Sequence, residues 1–199
     1  MGGERRWLRA ATMAFCLLAP LPAAAGAAAD IRALNADLLA HDSATAVLQQ
    51  WCADHHLAAE AKIVAERVAG PGKPATAAVR ALLKADPGEI IAYRRVRLAC
   101  GTVVMSQADN WYRPGRLTPE MNRLLETTDT PFGTVVKPLG FHRERLSAVV
   151  LARPGRAIPA AIVRNKALLE TPDGTPFSLV VETYLRGAVE RSPEPSSRR

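Results

Sequence analysis

Aromatic side chains are scarce in this chain: Phe, Tyr and Trp make up 5% of the 199 residues, although 48% are hydrophobic. Ala, Leu and Val must therefore fill most of a core that is large enough for one domain, and a ring placed in a turn stands out. Cysteine is scarcer, three in all, which excludes a disulfide-dense small scaffold. Gly-rich phosphate loops, Cys-x-x-Cys pairs and Gly-x-Ser-x-Gly elbows are all missing. Nucleotide-loop, dithiol and hydrolase-elbow chemistries thus have no motif here. No dense Lys/Arg block accompanies the net charge of +7 and the pI of about 9.8. Such dispersed cations suit an anionic small molecule or an anionic surface, and no nucleic-acid motif is present, so nucleic acid is not expected as a partner.

A long apolar run is missing too. "AATMAFCLLAPLP" is short and broken by Pro20 and Pro22, which does not make a spanning helix. Arg5, Arg6 and Arg9 precede it and the small-residue run "AAAGAAA" follows. That order predicts a signal peptide over residues 1–25, cleaved after Ala25, and a product exported to the periplasm or secreted, without stable membrane insertion. Cys16, preceded by Met-Ala-Phe, is a poor lipoprotein signal. The folded domain is expected over 30–188, as a monomer, with a disordered Pro/Ser/charge tail over 189–199. Cys52 and Cys100 remain in the mature part. In an oxidising compartment they either pair or sit as two separate buried thiols.

The spacing predicts helices across 31–57, divided by a cap at Asp42 or Ser43. "AKIVAERV" reads as a strand, "AGPGKPA" as a loop and "AAVRALLKADPGE" as a short helical piece. "EIIAYRRVRLAC" is the clearest strand: Arg95, Arg97 and Ala99 face one way, and Arg94, Val96, Leu98 and Cys100 the other. Gly101 turns the chain and "TVVMSQADNWY" returns beside it. Thr118, Pro119 and Glu120 start a helix. "PFGTVVKPLGF" and "RLSAVVLA" read as strands, and residues 160–185 as a hairpin around Asp173-Gly174. Short helices followed by antiparallel strands imply an α+β domain, one sheet with helices packed on it.

Three features carry chemistry. The first is the cluster Arg94, Arg95 and Arg97. Guanidinium forks hold carboxylates by paired hydrogen bonds, but an outward charged edge is the plain alternative. The second is Glu182, inside the apolar strand "FSLVVETYL", where it is either paired with an Arg or poised in a pocket. The third is Phe132, between Pro131 and Gly133, which is either a core ring or the apolar wall of a pocket. His55-His56 beside Asp54 lacks further ligands at metal spacing, so no metal is expected.

In order along the chain, "LNADLLAHDSAT", "YRRVRLACG", "LTPEMNRLLETTDTPFG", "FHRE" and "GTPFSLVVETYL" resemble the motifs of the chorismate pyruvate-lyase family. The resemblance runs from about Leu34 to Leu185. It implies a six-stranded antiparallel sheet and a closed ligand cavity under helical flaps, with no cofactor. The implied reaction eliminates pyruvate from chorismate to give 4-hydroxybenzoate. Arg95 matches the family's substrate-binding Arg and would hold the ring carboxylate. Arg143 or Arg94 would support the second carboxylate, and Glu182 would polarise the ether or move a proton. Phe132 and Gly133 stand in the turn that meets the ligand, and Ala44 stands in the helical flap. An exported, non-catalytic binder of an aromatic or cyclohexadienyl carboxylate would use the same residues.

Overall fold

The computed structural model describes residues 22–190. Most of the signal segment and nearly all of the tail lie outside them, and residues 22–25 open the first helix. Helix α1 (Pro22–Ala40) and α2 (Ala44–Asp54) meet at Ser43, whose hydroxyl accepts from the Ala46 N–H. Ile31, Leu34 and Leu38 form the buried stripe of α1, and Val47, Leu48, Trp51 and Cys52 that of α2. Strand β1 (Ile63–Arg67) and helix α3 (Ala77–Leu82) follow. A tight turn at Gly101 joins β2 (Ala92–Cys100) to β3 (Val103–Tyr112). Gly101 has φ +55°, and a Cβ there would stand 2.8 Å from the Ala58 Cβ, so both backbone and space require glycine. Helix α4 (Pro119–Thr127) starts on Thr118, as its sequence chemistry predicts. Then come α5 (Phe132–Val135), β4 (His142–Val150), β5 (Ala161–Glu170) and β6 (Pro176–Leu185).

The six strands form one antiparallel sheet in the order β1-β2-β3-β6-β5-β4. The architecture is the expected α+β one. Val96, Leu98, Cys100, Val163 and Tyr184 line the inner face and pack under α1 and α2. Helices α4 and α5 cover the other end, around Tyr112, Leu169 and Phe177. Helix α3 lies on the outer face, over Trp111, Leu168 and Leu179. The free edge of β1 is covered by the segment after α4, where the Ala65 N–H donates to the Asp129 carbonyl at 2.7 Å. Among the described residues, no helix is long and apolar enough to cross a membrane.

One expectation fails locally. "PFGTVVKPLGF" is not a strand: it forms α5 and a single 3-10 turn, Lys137–Leu139. Pro131, extended at φ −60° and ψ 143°, precedes the first helical residue. Phe132, Val135 and Val136 then fall at i, i+3 and i+4, and all three pack into the α4–α5 cluster. That helical spacing outweighs the strand preference of the two valines.

Cys52 on α2 and Cys100 at the end of β2 are disulfide-bonded, with Cα atoms 6.1 Å apart and a sequence separation of 48. Closing a loop of that length stabilises the fold by about 4 kcal/mol in the chain-entropy account. Reduction, or Cys52→Ala with Cys100→Ala, is expected to lower the thermal midpoint markedly, as read by circular dichroism. An unchanged midpoint would mean that the bridge adds nothing.

Candidate functional site

The inner face carries a column of polar side chains among apolar ones. Glu182 on β6 and Arg143 on β4 meet there, although β5 lies between their strands. The pair is bidentate: Arg143 Nη1 donates to Glu182 Oε2 at 2.7 Å and Nη2 to Oε1 at 3.2 Å, with both residues buried. Asp42, between α1 and α2, holds the other side of Arg143: the backbone N–H donates to Asp42 Oδ1 and Nε to the Asp42 carbonyl, each at 3.0 Å. Tyr184 O–H donates to Glu182 Oε2 at 3.0 Å. Burial alone would weaken the hold of Arg143 on its proton, but the Glu182 carboxylate outweighs it and keeps the guanidinium charged. Burial, together with the Glu182 charge, pushes the Tyr184 hydroxyl well above its ordinary range, so Tyr184 acts as a neutral donor.

Arg94 lies on the same face and is 7% exposed, yet among the described residues no carboxylate pairs with it. Its Nη1 donates to the Thr130 carbonyl at 3.2 Å and its Nη2 to that of Thr128 at 3.5 Å, while Nε is buried without an acceptor. Burial, and Arg67 close by, make the Arg94 charge harder to hold. Tyr112 is next along the face; its ring centroid is 5.4 Å from that of Phe132, which in turn lies 6.4 Å from Phe177. Phe132 is thus half-buried in an aromatic cluster at the Arg94 end of the sheet. Gly133 packs on the start of α2, where a Cβ would stand 2.8 Å from Thr45 Oγ1. Ala44, the buried first residue of α2, sits beside Thr45.

Arg95 does not join this group. It lies in register with Asp109 and Val181 on the outer face, whereas Glu182 is in register with Ala108 and Val96 on the inner face. A sheet stands between the two expected catalytic residues, so they cannot meet one ligand. Arg95 Nε instead donates to Asp109 Oδ1 at 2.9 Å, Lys73 Nζ donates to Oδ2 at 2.6 Å, and Tyr93 O–H also donates to Asp109. Burial raises the Asp109 carboxyl, but the hydrogen bonds from Lys73, Tyr93 and Arg95 prevail and hold it below its ordinary value. Arg97 is exposed on the same outer face. A cleft of about 180 Å³ opens at the β2 edge between Arg67, the 68–72 loop and residues 93–95.

The sequence reading passed over several residues of the inner face. Ser178 took no part in it, and Asp42 entered only as a candidate helix cap. Asn110 lies near the end of β3 opposite Arg94, 3% exposed. Period-two alternation along β3, which puts Ser106, Ala108, Asn110 and Tyr112 on one face, was the available signal.

No family model matches the chain. It is 44% identical over 182 residues to the uncharacterized protein y4mC of Sinorhizobium fredii, covering 82% of this chain and 77% of that one. The chain belongs to the y4mC family. Among solved structures it is similar to the effector domain of PhnF from Mycobacterium smegmatis, at 12% identity and a TM-score of 0.46, covering 62% of this chain and 81% of that one. It is also similar to a GntR-family transcriptional regulator from Bacillus cereus, at 10% identity and a TM-score of 0.43, covering 66% and 96%. These likenesses assign no ligand and give no support to excluding nucleic acid.

Arg143→Ala would leave Glu182 buried without its counter-charge. It is expected to cost about 3–5 kcal/mol in urea unfolding, most of it recovered in an Arg143→Met, Glu182→Leu double variant. A second outcome concerns Asp109. Its folded carboxyl titrates below the unfolded value of 3.8, so its contribution is full above that value and is lost as pH falls through the folded one. Asp109→Asn should therefore flatten the acid limb of the stability curve below about pH 4.

Proposed function

We propose that the chain is a binding protein for a small aromatic or cyclohexadienyl carboxylate, held on the inner face of the sheet with Arg94 as its anchor. One observation carries the reading: a buried guanidinium without a carboxylate partner, its Nε lacking an acceptor. A buried cation is costly unless an anion joins it. The rings of Tyr112 and Phe132 next to it supply an apolar wall for a planar ligand. Arg94 thus takes the anchoring role that the motif resemblance assigns to Arg95.

The finer reading is the elimination itself. In it, the C–H bond at the ring carbon bearing the hydroxyl breaks, its electron pair forms the new ring double bond, and the enolpyruvyl C–O bond breaks. The leaving enolpyruvate takes up a proton to become pyruvate. Glu182 shares the face with Arg94, two strands away and one inward position along, on the order of 12 Å between Cα atoms. Both its oxygens already accept hydrogen bonds from Arg143 and Tyr184. That engagement ties Glu182 into a structural ion pair and supports binding over turnover. Export remains part of the proposal. It is supported by the basic, apolar and small-residue order of residues 1–25 and by a disulfide of the kind that persists in oxidising compartments.

Titration calorimetry with 4-hydroxybenzoate and with chorismate tests the reading. Arg94→Gln is expected to weaken 4-hydroxybenzoate binding by at least about tenfold, while Arg95→Gln leaves it unchanged. The reverse pattern would return the anchor to Arg95. In the same samples, formation of 4-hydroxybenzoate from chorismate that disappears in Glu182→Gln would establish the lyase reading. Tight binding without product would leave a binder.

A further inference from the structure

Arg94 Nε is not alone. Asn110 Nδ2 is also buried without a partner. The two residues are cross-strand partners on β2 and β3, so their Cβ atoms stand about 5 Å apart on the same face. Orphaned donors are rare in a folded interior, and two from facing positions are rarer still. The orientation of Asn110 is set from β6: Ser178 Oγ, fully buried, donates to Asn110 Oδ1 at 2.6 Å. That bond occupies the amide oxygen and leaves the amide nitrogen as the free end. The pair therefore offers two N–H donors and a single positive charge beside an aromatic wall.

We infer that Asn110, held by Ser178, is the second arm of the carboxylate anchor, and that it selects a planar monoanionic carboxylate over a tetrahedral oxyanion. This rests on the binding reading above. A carboxylate has two oxygens in one plane and one negative charge, matching two donors and one cation. A phosphonate brings a third oxygen out of the carboxylate plane, for which this pair has no further donor; its desolvation would go uncompensated. A second arginine at position 110 would have removed that distinction.

Asn110→Asp gives the sharpest test. Its new carboxylate would stand opposite Arg94 and take the place of the ligand. The full chain and its variants are titrated with 4-hydroxybenzoate and with phenylphosphonate, and their thermal midpoints are recorded. The wild type is expected to prefer 4-hydroxybenzoate by at least about tenfold. Asn110→Asp should melt no lower than the wild type and lose at least about tenfold in affinity for 4-hydroxybenzoate. Asn110→Ala, which adds no charge, and Ser178→Ala, which frees the amide, should each lose severalfold and narrow the preference over phenylphosphonate. Wild-type affinity in Asn110→Asp, or equal binding of both probes by the wild type, would overturn the inference while leaving Arg94 as an anchor. A folded wild type that binds 4-hydroxybenzoate not at all would overturn the binding reading and this inference with it.

Discussion

The candidate site depends on one irregularity in the β2–β3 pairing. Near the Gly101 turn the partners are Cys100 with Val103 and Ala99 with Val104; past the shift they are Leu98 with Ser106 and Arg94 with Asn110. One extra residue on β3 is absorbed there, as in a β-bulge. Without it, an unbroken ladder from the turn would set Arg94 opposite Asp109 and satisfy it with a carboxylate. With it, Asp109 goes to Arg95 on the outer face and Arg94 faces a neutral amide on the inner one. The same shift thus closes an outer ion-pair network and leaves an inner cation that, among the described residues, hydrogen-bonds to no carboxylate.

The two buried arginines of the inner face divide its labour. Arg143 is fully used, by Glu182, by the Asp42 carboxylate through its backbone N–H, and by the Asp42 carbonyl. It ties β4 to β6 and clamps the α1–α2 junction onto the sheet, a long-range tie whose loss would leave a buried charge uncompensated. Arg94 makes only two hydrogen bonds, to backbone carbonyls. One is a strut and the other has donor capacity left for a ligand. Around Arg94, α5 contributes Phe132, and Gly133 lets α5 approach α2 closely enough to touch Thr45. A short helix that reads as a strand in sequence therefore packs beside the candidate site.

The fold was largely legible. The Thr118-Pro119-Glu120 start, the Ser43 cap, the alternation of β2 and the Asp173-Gly174 hairpin are local signals, each set by neighbours a few residues apart, and all four recur in the structure. The segment 131–141 was not legible, because Val135 and Val136 favour a strand by propensity while their contacts with the α4–α5 cluster reward a helix. Of the site, alternation separated Arg94 from Arg95 correctly, but motif likeness alone chose Arg95.

What the sequence determined by itself was the period of each element and hence which side chains share a face: Arg94 with Val96 and Leu98, and Glu182 with Val180 and Tyr184. That much follows from backbone geometry acting over two to four residues. Which face is buried, and which partner each charge meets there, was decided only in three dimensions. Arg143 and Glu182 are 39 residues apart, and Ser178 and Asn110 68. Strand order and a one-residue bulge, neither encoded at the residues concerned, brought these pairs together and set Arg94 opposite a neutral amide.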